Sequence, residues 1–360
     1  MSEGFRLAAV GDVVLTRPFL DRTDVDPRFI AMIDELGSAD VVFGDLETVL
    51  SDQGYPREKL ITLKAAPALV AELERMHFGV FSLANNHSMD FGETPLLETI
   101  ETLQIRGIKA VGAGMDLDAA IAPVVVSARG VSVAFLAASS LLPVGSAASA
   151  ERPGLAPLHV HTKYEVDAYI QMEEPGHPPV VRTTPDEQDL ARICAQITAA
   201  SQTADFVVVS VHMGFGFGEA LSECEQLIGK AAIDAGADLV LGNHVHAIHG
   251  IETYRGRCIH YSPGNFVAQQ PREGQPPEIL AIYEQMSDDA YLSLIDVAAD
   301  GSYRMQLAPV VMNEVGQPIR AEGADAERIL ERIVRLSTPM GTPATVAAGT
   351  VVVDVPGRSA

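Results

Sequence analysis

Cysteine is scarce: the 360 residues contain three, Cys194, Cys224 and Cys258, an odd number with no CxxC spacing. A disulfide framework is excluded and a reducing compartment fits. Basic residues are also short, 25 Lys and Arg against 48 Asp and Glu, for a net charge of −23 with no block of one basic type. Phosphate contacts need a basic face, so nucleic acid is excluded as a partner. The same charge keeps the chain soluble and repels a polyanion from most of its surface. Long apolar runs are missing as well. No segment approaches the ~18 consecutive apolar residues of a membrane span. The apolar run within Met1 to Val10 is too short for a signal-peptide core. The expectation is a cytoplasmic protein with no stable membrane anchor.

What is present is ordinary globular material, 47% hydrophobic and 20% charged. Short apolar runs predict strands over Arg6–Val14, Asp40–Gly44, Gly79–Leu83, Lys109–Gly112, Val124–Ser127 and Val131–Ala138. Helical patterns at Pro27–Leu36, Pro67–Met76 and Glu93–Arg106 lie between them. Such alternation predicts a layered α/β fold. Residues 139–185, rich in Pro, Gly, Ala and Ser, break the rhythm and read as a variable loop insertion, either a substrate-facing lid or a disordered segment. Alternation resumes with helices near Pro185–Ala200 and Ser222–Ala235 and strands at Asp205–His212 and Ala237–Gly242. A β-rich ending (Cys258–Ser262, Tyr291–Val297, Ser302–Met312) and a helix at Ala324–Leu336 close a single domain over 1–336. The tail, 337–360, lacks a helical period and is expected to be peripheral.

The informative feature is the set of polar residues standing just after the strands. Apolar runs end in Gly11-Asp12, in Gly44-Asp45-Leu46-Glu47, in Asn85-Asn86-His87, in His212, and in Asn243-His244-Val245-His246. In layered α/β sheets ligands bind beyond the carboxyl ends of the strands, so these groups should converge. They are oxygen and imidazole donors, suited to Mn, Fe or Zn. A Gly-Asp after a strand is often only a turn, and an Asn-Asn-His can be a helix entry. Two imidazoles at His244 and His246 after a buried strand are harder to satisfy otherwise. Gly112-Ala-Gly114 lacks the third glycine of a dinucleotide loop, and Ser139-Ser140 lacks a nucleophile elbow. His77, His249 and His260 read as packing or surface residues.

In order, Gly11-Asp12, Asp45-Leu46-Glu47, Ala84-Asn85-Asn86-His87 with Asp90 and Gly92, His212 with Gly214, Gly236-Ala237-Asp238 through His246, and Tyr261-Ser262-Pro263-Gly264-Asn265-Phe266 resemble the CapA (poly-γ-glutamate capsule synthesis) family of the calcineurin-like metallophosphoesterase superfamily. The resemblance covers roughly Arg6 to Val267. It implies a four-layer α/β/β/α sandwich with one or two divalent ions, Mn, Zn or Fe, at the strand ends. By that resemblance Asp12 and His246 serve a first ion, Asn86, His212 and His244 a second, and Asp45 or Glu47 bridges them. His87 stands by as proton donor or acceptor. Where the wider superfamily has Asp-x-His, this chain has Asp12-Val13-Val14; Asp45 stands where relatives have Asn; and His212-Met213-Gly214 replaces His-Trp-Gly, with the next acid delayed to Glu219.

The function these readings imply is metal-dependent hydrolysis of an amide (γ-glutamyl-like or peptide) or a phosphoester, with metal-bound hydroxide as nucleophile and His87, His212 and Asp45 as the catalytic side chains. A metal-assisted, cofactor-independent epimerase using His87 or His212 as proton shuttle is the alternative. A non-catalytic polyglutamate or capsule-assembly binding protein is the third. The expected partner is a small-molecule or peptide substrate; oligomeric state is left open.

Overall fold

Apolar runs rich in valine form most of the two central sheets. A computed structural model describes residues 4–20 and 25–357 of the chain. The larger sheet orders its main strands as Thr345–Ala347, Thr350–Val355, Tyr303–Met312, Asp289–Val297, Phe5–Val14, Val41–Leu46, Val80–Ser82 and Lys109–Val111. Asn265–Ala268 pairs in parallel with the end of Phe5–Val14, and Pro318–Arg320 pairs with Tyr303–Met312. The second sheet runs Ile251–Tyr254, Arg257–His260, Leu239–Asn243, Phe206–His212, Val131–Ser139, Val124–Ala128. Its four inner strands are mutually parallel.

Three apolar clusters separate four layers. Between the sheets, Phe43 stacks on Phe135 at 5.4 Å and Phe5 meets Phe206 edge-on at 5.7 Å. Outside the first sheet, helix Pro27–Leu36 buries Phe29, Met32, Ile33 and Leu36, and Glu93–Ile105 buries Leu96 and Leu103. Outside the second, Glu187–Ser201 buries Ile193 and Ile197, and Glu223–Asp234 buries Cys224, Ile228, Ala232 and Ile233. The arrangement is the α/β/β/α sandwich that the resemblance implied. Helix entries follow local chemistry: Asp26 caps and Pro27 begins the first helix, while Ser222 and Glu225 form a reciprocal capping box.

Two expectations need correcting. The tail, expected to be peripheral, is woven into the larger sheet: Thr350–Val355 pairs with Tyr303–Met312, and Val351, Val353 and Val355 join the inter-sheet core. Alternation of period two in Thr350-Val-Val-Val-Asp-Val355 supplies the apolar face. The segment 139–185, read as a loop, carries structure of its own. Val160–Glu165 and Val180–Pro185 form an antiparallel hairpin bridged by helix Ala168–Glu173. It is anchored to the second sheet's helices, where Thr183 Oγ1 accepts from Cys224 N at 3.1 Å and His159 Nδ1 lies 2.6 Å from Asp189 Oδ2. No described helix is long and apolar enough to cross a membrane.

Candidate metal centre

Parallel register brings the motif residues to one edge. Asp12 pairs with Asp45 on one side and Asn265 on the other, and His212 pairs with Asn243. The approach is close: a Cβ on Gly11 would lie 1.9 Å from Gly264 O, so a glycine is needed at 11 for the strands to meet there. A Cβ on Gly214 would lie 2.5 Å from Val245, and its φ of +113° is glycine territory. His244 and His246 adopt φ of +105° and +51°. Positive φ in non-glycine residues stores backbone strain, which concentrates at functional sites.

Asp12, Asp45, Glu47 and His212 are fully buried, and His246 nearly so. Asp12 accepts from His244 N at 3.1 Å (Oδ2), and its Oδ2 lies 3.2 Å from His246 Nδ1. His212 Nδ1 lies 3.5 Å from Asp45 Oδ2 and 4.0 Å from Asp12 Oδ1. His212 Nε2 lies 3.3 Å from Glu47 Oε1, and Glu47 Oε2 is 3.9 Å from His246 Nε2. The imidazoles of His212 and His244 sit 4.9 Å apart.

Several of these atoms have no partner: Asp45 Oδ2, both Glu47 oxygens, His212 Nδ1 and His244 Nδ1 are buried without a hydrogen bond. Buried acceptors facing one another in this number are costly unless a cation lies among them. Two overlapping groups have donor atoms within 4.8 Å of one another, Glu47 with His244 and His246, and Asp12 with Glu47 and His212. An all-oxygen-and-imidazole set with these unpartnered lone pairs fits a divalent ion.

The grouping differs from the one the resemblance implied. His244 falls with His246, and His212 with Asp12, while Glu47 belongs to both groups. Asn86 lies beside His212, its Oδ1 accepting from Nε2 at 2.7 Å, so these two residues, which the resemblance assigned to one ion, are adjacent. Asp45 is held by Asn85, whose Nδ2 donates to Asp45 Oδ1 at 2.6 Å and to Leu46 O at 2.8 Å. Asn85 Oδ1 in turn accepts from the N–H groups of His87 and Ser88, each at 3.0 Å. Glu219 lies in ion pairs with Arg332 and Arg335 of the Gly323–Ser337 helix, at 3.0 and 2.7 Å, and takes no part in either metal group.

Three supporting residues carried no assigned role in the sequence. Asn265 Oδ1 fixes His246 Nδ1 at 2.7 Å, and Asp90 Oδ2 fixes His87 Nδ1 at 2.8 Å. Lys59 Nζ reaches Asp90 Oδ1 and Asn86 O, both at 2.5 Å. Asp90 stands three residues after His87 and Asn265 belongs to the motif that starts at Tyr261, so both had a signal; Lys59, in an irregular stretch, had none. His260 and His249 are buried packing residues, against Met305 and Gly218 O respectively, and His77 is exposed.

Burial, then the Asp12 charge, pushes the Glu47 carboxyl up to about 8. Burial likewise raises Asp45. For His246 burial opposes the cation, but Glu47 and Asp12 outweigh it and raise the pKa to about 9. Burial lowers His87 to about 4, helped by Lys59, so its ring is neutral at pH 7. The metal-free cluster therefore holds protons at pH 7 where a metal would sit. Loading a divalent ion at pH 7 is expected to release at least about one proton, with affinity rising as pH climbs towards 9. Calorimetry in buffers of different ionisation enthalpy measures this directly; a buffer-independent heat would contradict it.

The model of the family described as bacterial capsule synthesis protein PGA_cap matches residues 6–270. An uncharacterized protein of Sinorhizobium fredii is 27% identical over 96% of this chain and 92% of its own length. A probable polyglutamine synthesis accessory protein of Mycobacterium tuberculosis is 30% identical over 84% of this chain and 74% of its own. The PGA biosynthesis protein CapA of Bacillus subtilis is 25% identical over 91% and 77%. With the whole strand-end constellation inside the matched span, the chain belongs to the CapA-like bacterial capsule synthesis (PGA_cap) family.

Proposed function

We propose that this protein is a metal-dependent hydrolase acting on an amide, γ-glutamyl-like or peptide, with a phosphoester as the alternative bond. The observation that carries the reading is the pair of donor groups sharing Glu47, with their buried, unpartnered lone pairs. Glu47, His244 and His246 would hold one divalent ion, and Asp12, Glu47 and His212 a second, with Asp45 beside His212. When bound, such an ion acidifies water and polarises a carbonyl or phosphoryl oxygen. The side chains do the rest. Asn85 holds Asp45, and Asn265 holds His246, so donors keep their aim. His87, neutral and tied through Nδ1 to Asp90, has Nε2 left to take or give a proton. Phe217 lies nearly parallel to His246, with ring centroids 6.3 Å apart.

The amide is preferred for two reasons. The superfamily's Asp-x-His opening is absent at Asp12-Val13-Val14, and two relatives are named for PGA or polyglutamine synthesis. The test is metal analysis followed by assay. Purified protein should carry about one or two equivalents of Mn, Fe or Zn and cleave γ-glutamyl amides faster than phosphoesters with that metal. Running the assay in heavy water separates the epimerase: deuterium at an α-carbon without bond cleavage would replace hydrolysis by epimerisation.

A further inference from the structure

A recess adjoins the metal centre through Asn265, the residue that fixes His246. The turn beside it is also tied to the centre, because Ser287 N donates to His246 O at 3.0 Å. The recess encloses about 300 Å³, at the small end of ligand sites. Its lining carries charges of both signs on exposed side chains, Arg272, Asp288 and Glu314, with no ion pair between them among the described residues. The Arg272 guanidinium makes no ion pair or hydrogen bond among the described residues; it sits 5.7 Å from the Tyr283 ring centroid. Gln270 Nε2 is buried with no acceptor. Asp288 and Glu314 present side-chain carboxylates with no donor among the described residues.

We propose that this recess holds the free α-amino-acid head of a γ-glutamyl substrate, Arg272 and Gln270 taking the α-carboxylate and Asp288 and Glu314 the α-ammonium. The inference rests on the amide-hydrolase reading above and deepens it. A buried amide donor beside a guanidinium suits a carboxylate, and carboxylates suit an ammonium through charge-assisted hydrogen bonds. A segment of polyanion would meet Asp288, Glu314 and the net charge of −23, all repulsive. In a γ-linked chain the internal residues have their α-nitrogen locked in an amide. Only the amino-terminal residue carries both charges, and its γ-carbonyl is the one next to the head. Recognition by such a recess therefore selects the chain end. Hydrolysis there breaks the γ-carbonyl C–N bond, adds the hydroxyl of water to the carbonyl and its proton to the leaving amine, and frees one glutamate.

Titration calorimetry of the full chain with γ-glutamyl-glutamate, its N-acetyl derivative and des-amino glutaryl-glutamate tests the assignment. The free dipeptide should bind roughly tenfold more tightly than either analogue. Asp288→Asn should bring it down to their level. Arg272→Gln should weaken the dipeptide, its N-acetyl form and the glutaryl analogue, all of which keep the α-carboxylate, more than 4-aminobutyryl-glutamate, which lacks it. Both variants should keep wild-type metal content and thermal midpoint. Equal binding of the three ligands, no binding of the dipeptide, or unchanged preference in both variants overturns the proposal. Turnover in the same samples reports on the other reading. A dipeptide bound with this preference but uncut with every metal overturns hydrolysis and keeps the recess; equal cleavage of the N-acetyl form overturns the recess and keeps hydrolysis.

Discussion

Glu47→Gln should lose most of the bound metal and roughly a thousand-fold of metal-dependent turnover, yet unfold at a higher temperature than wild type when both are stripped of metal. Glu47 is the residue common to both donor groups, so its loss opens both. An amide keeps the volume but supplies one weaker oxygen. The stability gain has a separate cause. In the metal-free protein Glu47 is fully buried, both oxygens lack partners, and Asp12 and Asp45 lie near it. Leaving such a group unsatisfied costs on the order of 1–3 kcal/mol. The sign with pH comes from linkage. Glu47 titrates near 4.5 when unfolded and about 8 when folded, so its contribution is fully present below 4.5 and is lost as pH rises through 8. His246, moved from 6.5 to about 9, acts in the same direction. Chelator-treated wild type should therefore lose stability from pH 6 to 9, and Glu47→Gln should lose less. Metal analysis and thermal unfolding at both pH values check this. Wild-type metal content in the variant would remove Glu47 from the centre.

Most of the layered core was legible because its signals are local. The predicted strand Asp205–His212 is observed as Phe206–His212, and helix Pro27–Leu36 matches residue for residue, since an uncharged valine run and a Pro entry capped by Asp26 specify themselves. The convergence of Asp12, Asp45, Glu47, His212, His244 and His246 was also legible, through their shared position after strands. Which donor faces which was not. That depends on side-chain direction across two sheets, and on the turn that gives His244 its φ of +105°. Lys59 gave no signal because its partners, Asp90, His87 and Asn86, lie about thirty residues away in sequence and meet it only after folding. The hairpin within 139–185 was obscured by exposed apolar residues such as Tyr164 and Val181, which break the inside-outside alternation of an ordinary strand.

The C-terminal strand offers the sharpest stability test, because its misreading and its energetics have the same origin. Thr345–Ala347 turns back onto Thr350–Val355 through Ala348 and Gly349, both at positive φ (51° and 74°). Such a two-residue turn usually announces itself with Asn-Gly or Asp-Gly; Ala348 hides it. Yet Val353 is 1% exposed, pairs with Met305, and lies in the cluster that holds the two sheets together. Arg257 reinforces the strand's end by donating to Pro356 O at 3.0 Å. Val353→Asp places an unpaired carboxylate in that core and should destabilise the protein by on the order of 3–5 kcal/mol. Val346→Asp, at a position 56% exposed on the edge strand, should change stability by less than about 0.5 kcal/mol. Urea midpoints of the two variants decide the point. The burden falls on register: one residue's shift along the strand would turn Val353 to the opposite face and take Val351 and Val355 with it. Near-equal midpoints would therefore mean that the tail does not close the inter-sheet core, and that the metal-bearing edge is held by the remaining strands alone.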